Sequence, residues 1–277
     1  WNEKRFQKKI KKLGSVIQQI GYDAIGFPPV LVGVAEVENR FVLEALVQSK
    51  FLSKKNYGII HFDSPDERGI DTALLYRKEY INVLETETHT LYLENEDGER
   101  DYTRDILAAT LQLEDETFYV LINHWPSRRA GVEKTAPRRI LAADKNLEII
   151  EAIRTKNENA RIVIMGDFND DPKSESIQRL TSGGLYNPME LLLTHETGSL
   201  NYRGAWNLFD QLLVSHQFMQ LHGNSFRFKK ATIFNPEHLT EFKGRRKGNP
   251  FRTYLGKHYS GGFSDHFPIY GTFSLNR

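Results

Sequence analysis

Arg161-Ile-Val-Ile-Met-Gly-Asp-Phe-Asn-Asp-Asp-Pro172 holds two patterns back to back. Ile162 to Met165 is an apolar run without polar alternation, as in a strand covered on both faces, and Gly166 breaks it. The chain therefore leaves a core at Asp167. There it offers Asp167, Asn169, Asp170 and Asp171 before Pro172 forbids a return to regular pairing. Oxygen ligands crowded at the end of a buried strand suit a hard cation such as Mg2+ and repel one another without it. Taken alone, Asn-Asp-Asp-Pro reads as a polar turn, so its weight depends on the rest of the chain.

The same design recurs upstream. After an amphipathic helix from Trp1 to Ile20, with Phe6, Ile10, Leu13, Ile17 and Ile20 on one stripe and a basic face read as solvated, Val30 to Ala35 forms another buried-strand pattern that ends in Glu36. A lone strand-end Glu is more often a cap or a surface charge. Asn39 to Gln48 reads as a helix. Tyr57 to Ile122 then alternates short strands with polar turns, which predicts an antiparallel meander; Asp71 and Arg104 sit at strand starts. The last of these strands exits at Asn123-His124 and is followed by Trp125, Ser127, Arg128 and Arg129, a phosphate-facing set if it faces a site at all. Pro137 to Arg154 has helical spacing and returns the chain to the Asp167 strand.

Downstream, Ser174 to Leu180 reads as a short helix and Trp206 to Ser215 as a strand with Asp210 embedded near its start. An Asp in an apolar strand destabilises it unless paired or bound. Gly261-Gly-Phe-Ser-Asp265-His266 then places an Asp-His pair on a Gly-rich turn before the final strand.

Composition narrows the classes. At 277 residues the chain can bury a large core, and no Pro/Gly/Ser-rich linker or repeat divides it, so a single domain over 1–277 is expected. Net charge is +1, which does not mark the whole molecule as a polyanion binder, so any anion site is local. The chain has no cysteine, which excludes disulfides, thiolate metal sites and thiol catalysis. No apolar run approaches the roughly 20 residues of a membrane span. The expectation is a soluble monomer without a protein partner, cytoplasmic or exported after removal of a leader.

The ordered set Glu36, Asn123-His124, Gly166-Asp-Phe-Asn169, Asp210 and Ser264-Asp-His266 resembles the endonuclease/exonuclease/phosphatase superfamily along nearly the whole chain. That resemblance implies an α/β fold: two packed mixed β-sheets flanked by outer helices, a four-layer α/β/β/α sandwich. It implies that Glu36 binds a divalent metal, Mg2+ or alternatively Mn2+, with Asp265 nearby. Asp167 would orient or deprotonate the attacking water, Asn169 hold phosphate or metal, His124 face the phosphate and Asp210 orient His266 beside it. Arg104 resembles a phosphate-contacting arginine of the nuclease branch, and Asp71 stands where that branch has an acid supporting the histidine. With Asn123 and Arg128, Arg104 makes up the expected substrate-binding set. The family's first strand, carrying an Asn, precedes its first helix, whereas this sequence begins at Trp1 already at the helix.

The implied activity is metal-dependent hydrolysis of a phosphate ester, a phosphodiester first, with nucleic acid among the substrates. The alternatives are a phosphatase or phospholipase C-like enzyme on a sugar-, inositol- or lipid-phosphate, and a non-catalytic binding module with a weakened metal site. Phe226 to Tyr259 mixes nine Lys and Arg with aromatics. It reads either as a polyanion clamp with stacking rings or as a solvated loop whose aromatics are core. Trp125 is likewise a substrate platform or a packing residue.

Overall fold

The computed structural model describes residues 1–220 and 226–275. Its principal strands are β1 (Leu31–Val37), β2 (Tyr57–His61), β3 (Asp71–Arg77), β4 (Ile81–His89), β5 (Ile106–Leu113), β6 (Glu116–His124), β7 (Arg161–Asp167), β8 (Leu185–Tyr186), β9 (Asp210–Ser215), β10 (Phe226–Ile233) and β11 (Ile269–Leu275). Its helices of eight or more residues are α1 (Glu3–Gln19), α2 (Arg40–Val47), α3 (Val132–Lys156) and α4 (Glu175–Ser182). Among the described residues one sheet has the order β1-β3-β2 and a larger one the order β8-β9-β7-β6-β5-β4, while β10 and β11 pair as a ribbon. Within the larger sheet β6 and β7 run parallel, because α3 carries the chain back between them.

Side-chain pattern explains the layering. Asn2 and Asn39 cap α1 and α2 by accepting the Arg5 and Val42 N–H groups. The apolar stripes of these helices, including Ile10, Leu43 and Leu46, cover the outer face of the small sheet at Ala73 and Leu75. On its inner face Ile60 and Leu74, together with Phe228 and Phe273 of the ribbon, meet Val120, Val163 and Leu212 of the large sheet. The far side of the large sheet is closed by Ile150 and Ile153 of α3 and Ile177 of α4 against Leu121, Ile162 and Ile164. Each such side chain contributes about 1.5–3 kcal/mol on burial. The result is the α/β/β/α sandwich that the family resemblance implies. Among the described residues no helix is long and apolar enough to cross a membrane.

Three local expectations change. The meander from Tyr57 to Ile122 is divided between sheets: β2 and β3 belong to the small one, β4, β5 and β6 to the large one. Alternation identifies a strand but not the sheet it joins. The stretch from Trp206 to Ser215 is interrupted, because Leu208 N–H donates to the Asp171 carboxylate and the Phe209 carbonyl accepts from Phe168 N–H. The basic face of α1 is not simply solvated: the Lys9 amine donates to Thr253 Oγ1 and the Phe263 carbonyl, and Lys12 donates to the Gly261 carbonyl.

Candidate active site

Strand register brings the polar residues together. His124 stands opposite Asp167 in the parallel β6–β7 pairing, and Asp167 opposite Asp210 in the antiparallel β7–β9 pairing. Gly166, at φ +146°, lets the two strands approach at this point; a Cβ there would overlap the Asn123 carbonyl. The fourth member arrives from the turn before β11, with His266 Nδ1 2.7 Å from Asp210 Oδ2. Ser199 clamps that meeting. Its carbonyl accepts Phe267 N–H at 2.7 Å, and its hydroxyl accepts Phe209 and Asp210 N–H at 3.2 and 3.3 Å. Nothing in the sequence marks Ser199, since its partners lie in two distant segments.

Asp167 is oriented by its neighbours. Its Oδ1 accepts Asn169 N–H at 2.8 Å and its Oδ2 accepts Asn169 Nδ2 at 3.3 Å, while Asn169 Nδ2 also donates to the Trp125 carbonyl at 3.0 Å. Asn169 makes this geometry with φ at +49°. Burial pushes the Asp167 carboxyl up to about 6, with Asp210 and Glu36 adding to the push and His266 opposing it. At His266 burial disfavours the charge, but Asp210 in contact and Asp167 and Asp265 nearby outweigh it and raise the imidazole to about 10. His124 behaves oppositely: burial, then Arg104, Arg68 and His266, hold it well below the ordinary histidine value. Its Nε2 lies 3.6 Å from Asp167 Oδ2, and its Nδ1 is buried without a hydrogen-bond partner among the described residues. The site therefore carries one imidazolium and one neutral imidazole on either side of a carboxylate poised near neutrality.

Glu36 sits in a bulge of β1, between Ala35 and Val37, with φ at +59° and its side chain 60% exposed. Asp265 is also exposed. Both act on the Lys9 amine, which burial lowers to about 8 against the pull of the two carboxylates. Exposed carboxylates flanking a buried one fit a hard divalent cation by donor chemistry. A second acid-histidine group, His61, Asp63 and Asp71, lies within 4.8 Å atom to atom. Asp71 is already occupied there, accepting Ser64 N–H at 2.8 Å on Oδ1 and pairing with His61 Nε2 at 3.0 Å on Oδ2. That group pins the loop after β2.

Other candidates are committed elsewhere. Asp71 does not back His124, because its oxygens serve His61 and Ser64. Asn123 is fully buried and its amide is shared with Asn146 and the Trp125 indole N–H. Trp125 packs edge-on against Phe168 at 4.8 Å, a core residue and not a substrate platform. Arg104 is buried, donating to Asp66 Oδ2 at 3.0 Å and to the Trp125 carbonyl at 2.6 Å. Arg128 lies on the Phe209 ring and donates to Asp170, Asp171 and the Asn169 carbonyl. Asp170, bound by Arg128, Ser176 and the buried Arg139, is thus a structural acid, and Asp171 is held by Arg128, whereas Asp167 stands in register between His124 and Asp210. In the basic stretch, Phe226 and Phe228 are core, whereas Tyr259 carries the Arg5 guanidinium 4.2 Å from its ring.

Comparison with known proteins agrees with this fold. The chain is similar to D. rerio TDP2 complexed with single strand DNA product (TM-score 0.61, 16% identity, covering 98% of this chain and 93% of that one). It is also similar to the human Nocturnin catalytic domain with bound sulfate anion (0.59, 16%, 98% and 87%). A third likeness is to the Bacteroides thetaiotaomicron mannosyl-6-phosphatase Bt3783 (0.58, 16%, 98% and 92%). At such identities the likeness is one of fold. None of the curated proteins matches it in sequence. The model of the Endonuclease/Exonuclease/phosphatase family, whose name describes hydrolases of phosphate esters, matches residues 1–275, and the chain belongs to that family.

Proposed function

We propose that this protein hydrolyses a phosphate ester, a phosphodiester first, by in-line attack of a water activated at Asp167, with Glu36 and Asp265 holding a divalent cation. The observation that carries the reading is the Asp210–His266 pair, at 2.7 Å, set beside Asp167. A bound Mg2+ or Mn2+ would supply positive charge at the non-bridging oxygens. Asp167, held in line by Asn169, takes the proton of the attacking water. His266, kept charged by Asp210, faces the negative charge that grows on the phosphorane. His124 is neutral and adds a hydrogen-bonding imidazole to the same face without adding charge. A phosphodiester is favoured over a dianionic monoester because the charges of Arg104 and Arg128 are already matched by Asp66, Asp170 and Asp171. A nucleic acid strand is one diester of this kind, as in the TDP2 complex.

The test is hydrolysis of bis(p-nitrophenyl) phosphate and p-nitrophenyl phosphate side by side, with Mg2+, Mn2+ and EDTA, by wild type and His266→Ala. Diester cleavage that EDTA abolishes, and that His266→Ala lowers in kcat by a factor on the order of a hundred to a thousand, is expected. Monoester preference would move the reading to a phosphatase. Turnover indifferent to both EDTA and the substitution would refute the mechanism.

A further inference from the structure

A site that binds a phosphate ester needs a cationic donor with hydrogen bonds to spare, and arginine suits phosphate best because its planar fork matches two oxygens at once. Of the arginines singled out in the sequence, the two given to substrate binding, Arg104 and Arg128, lack that freedom. Both terminal nitrogens of Arg104 are used inside the protein, on Asp66 and the Trp125 carbonyl. Arg128 spends its Nε and both terminal nitrogens on Asp170, Asp171, Ser174 and the Asn169 carbonyl.

Arg68, on the loop between β2 and β3, is different. Its side chain is 43% exposed, with Nη1 3.4 Å from Glu36 Oε1 and Nε 3.7 Å from Asp66 Oδ1. Both contacts are long, so the guanidinium can change partners at small cost. It also lies close enough to His124 to lower that imidazole's affinity for a proton. Its backbone, by contrast, is anchored. Asp66 Oδ1 accepts Arg68 N–H at 3.0 Å while Asp66 Oδ2 takes Arg104 Nη1 at 3.0 Å, and Gly69 N–H closes the turn on the Asp66 carbonyl at 2.9 Å. A few residues earlier, Ser64 N–H is fixed by Asp71. The buried arginine thus holds the aspartate that holds the exposed arginine over Glu36.

We propose that Arg68 is the substrate-gripping arginine of this site, with Glu36 as its resting partner and Arg104 acting only as a positioning residue through Asp66. When Glu36 turns to the cation, the Arg68 fork is released to the non-bridging oxygens of the phosphate. This rests on the phosphate-ester reading above.

The test compares wild type, Arg68→Ala and Arg68→Lys by calorimetric binding of inorganic phosphate in Mg2+, by Mn2+ binding without phosphate, and by KM and kcat on bis(p-nitrophenyl) phosphate. Arg68→Ala should weaken phosphate binding and raise KM tenfold or more while kcat falls less, and Arg68→Lys should recover part of the loss. Mn2+ should bind Arg68→Ala as tightly as wild type or tighter, because Glu36 has lost a competitor. Phosphate affinity and KM within twofold of wild type in Arg68→Ala would overturn the assignment. So would a matched loss of Mn2+ binding and thermal stability, which would make Arg68 structural. If wild type cleaves the ester and Arg68→Ala equals it, Arg68 alone falls; if wild type neither binds phosphate nor cleaves either ester, the phosphate-ester reading falls and takes Arg68 with it.

Discussion

Asp167, the base of the proposed mechanism, is held where its ionisation costs stability. Its carboxyl titrates near 6 in the folded protein, against an ordinary value of 3.8, because burial and the acids around it resist ionisation. A folded pKa raised above the unfolded one means that the native state binds more protons between those values. The contribution of Asp167 to stability is therefore fully present below the unfolded pKa and is lost as pH rises through about 6. Two outcomes follow from that sign. The kcat/KM profile should have an acid limb falling tenfold per pH unit below about 6, with the limb governed by the free enzyme's base. Asp167→Asn should abolish turnover yet raise stability at pH 7 by about 1–3 kcal/mol, since the ionisation penalty disappears while some of the bonds from Asn169 weaken. Urea denaturation at pH 7 and pH 4 measures this. An Asn variant no more stable than wild type at pH 7, or a gap that persists at pH 4, would contradict it.

At the level of the element, the loop between β2 and β3 is built around a buried ion pair. Asp66 and Arg104 have side chains 4% and 6% exposed, and Asp66 also accepts Arg68 N–H. Such a pair adds little net stability over an apolar replacement, but removing one partner leaves a buried charge unmatched. Asp66→Ala should therefore lower unfolding free energy by about 3–5 kcal/mol, read by chemical denaturation. Replacing Asp66 and Arg104 together with apolar residues of similar size should recover part of the loss. A single variant within about 0.5 kcal/mol of wild type, the usual range for a surface change, would show that the pair is not buried in solution. The same loop explains the fate of Asp71. Its carboxylate closes the loop onto His61 and Ser64, which leaves His124 Nδ1 without an acid behind it among the described residues.

Across the whole molecule, both ends of the chain and both sheets contribute to a surface rich in carboxylates. Glu36 comes from the small sheet, Asp167 and Asp210 from the large one, and Asp265 from the turn before β11. Lys9 of α1 reaches the same region through Thr253 and Phe263. A cation bound here should hold the layers together as well as serve the reaction. At a hundredfold excess over its dissociation constant, Mg2+ should add about 2.7 kcal/mol of stability, seen as a rise in melting temperature that EDTA reverses. Glu36→Gln should abolish most of that rise while leaving the melting temperature without metal equal or slightly higher. A rise of equal size in Glu36→Gln would place the cation elsewhere, for instance at His61, Asp63 and Asp71.

The local chain determines where strands stop and what stands there. Apolar runs ending at Glu36, His124 and Asp167, an Asp at the head of β9, and an Asp-His turn before β11 are all legible without coordinates, because burial and its interruption are properties of neighbouring residues. Which of those groups face one another is also partly legible, since strand ends in a packed sandwich meet at one rim. Charge partnership is not. Arg104 pairs with Asp66 across 38 positions, and Arg128 with Asp170 across 42. A long side chain near a strand end has several acids within reach of its sequence neighbours, and only the packing of loops against strands selects among them. For that reason Arg104 and Arg128, prominent in the sequence, are bound inside the protein in the tertiary structure. Arg68 sits among Asp63, Asp66 and Glu67, where it reads as part of a mixed-charge turn, yet it ends beside Glu36 because the β1–β3 pairing brings Val37 opposite Asp71.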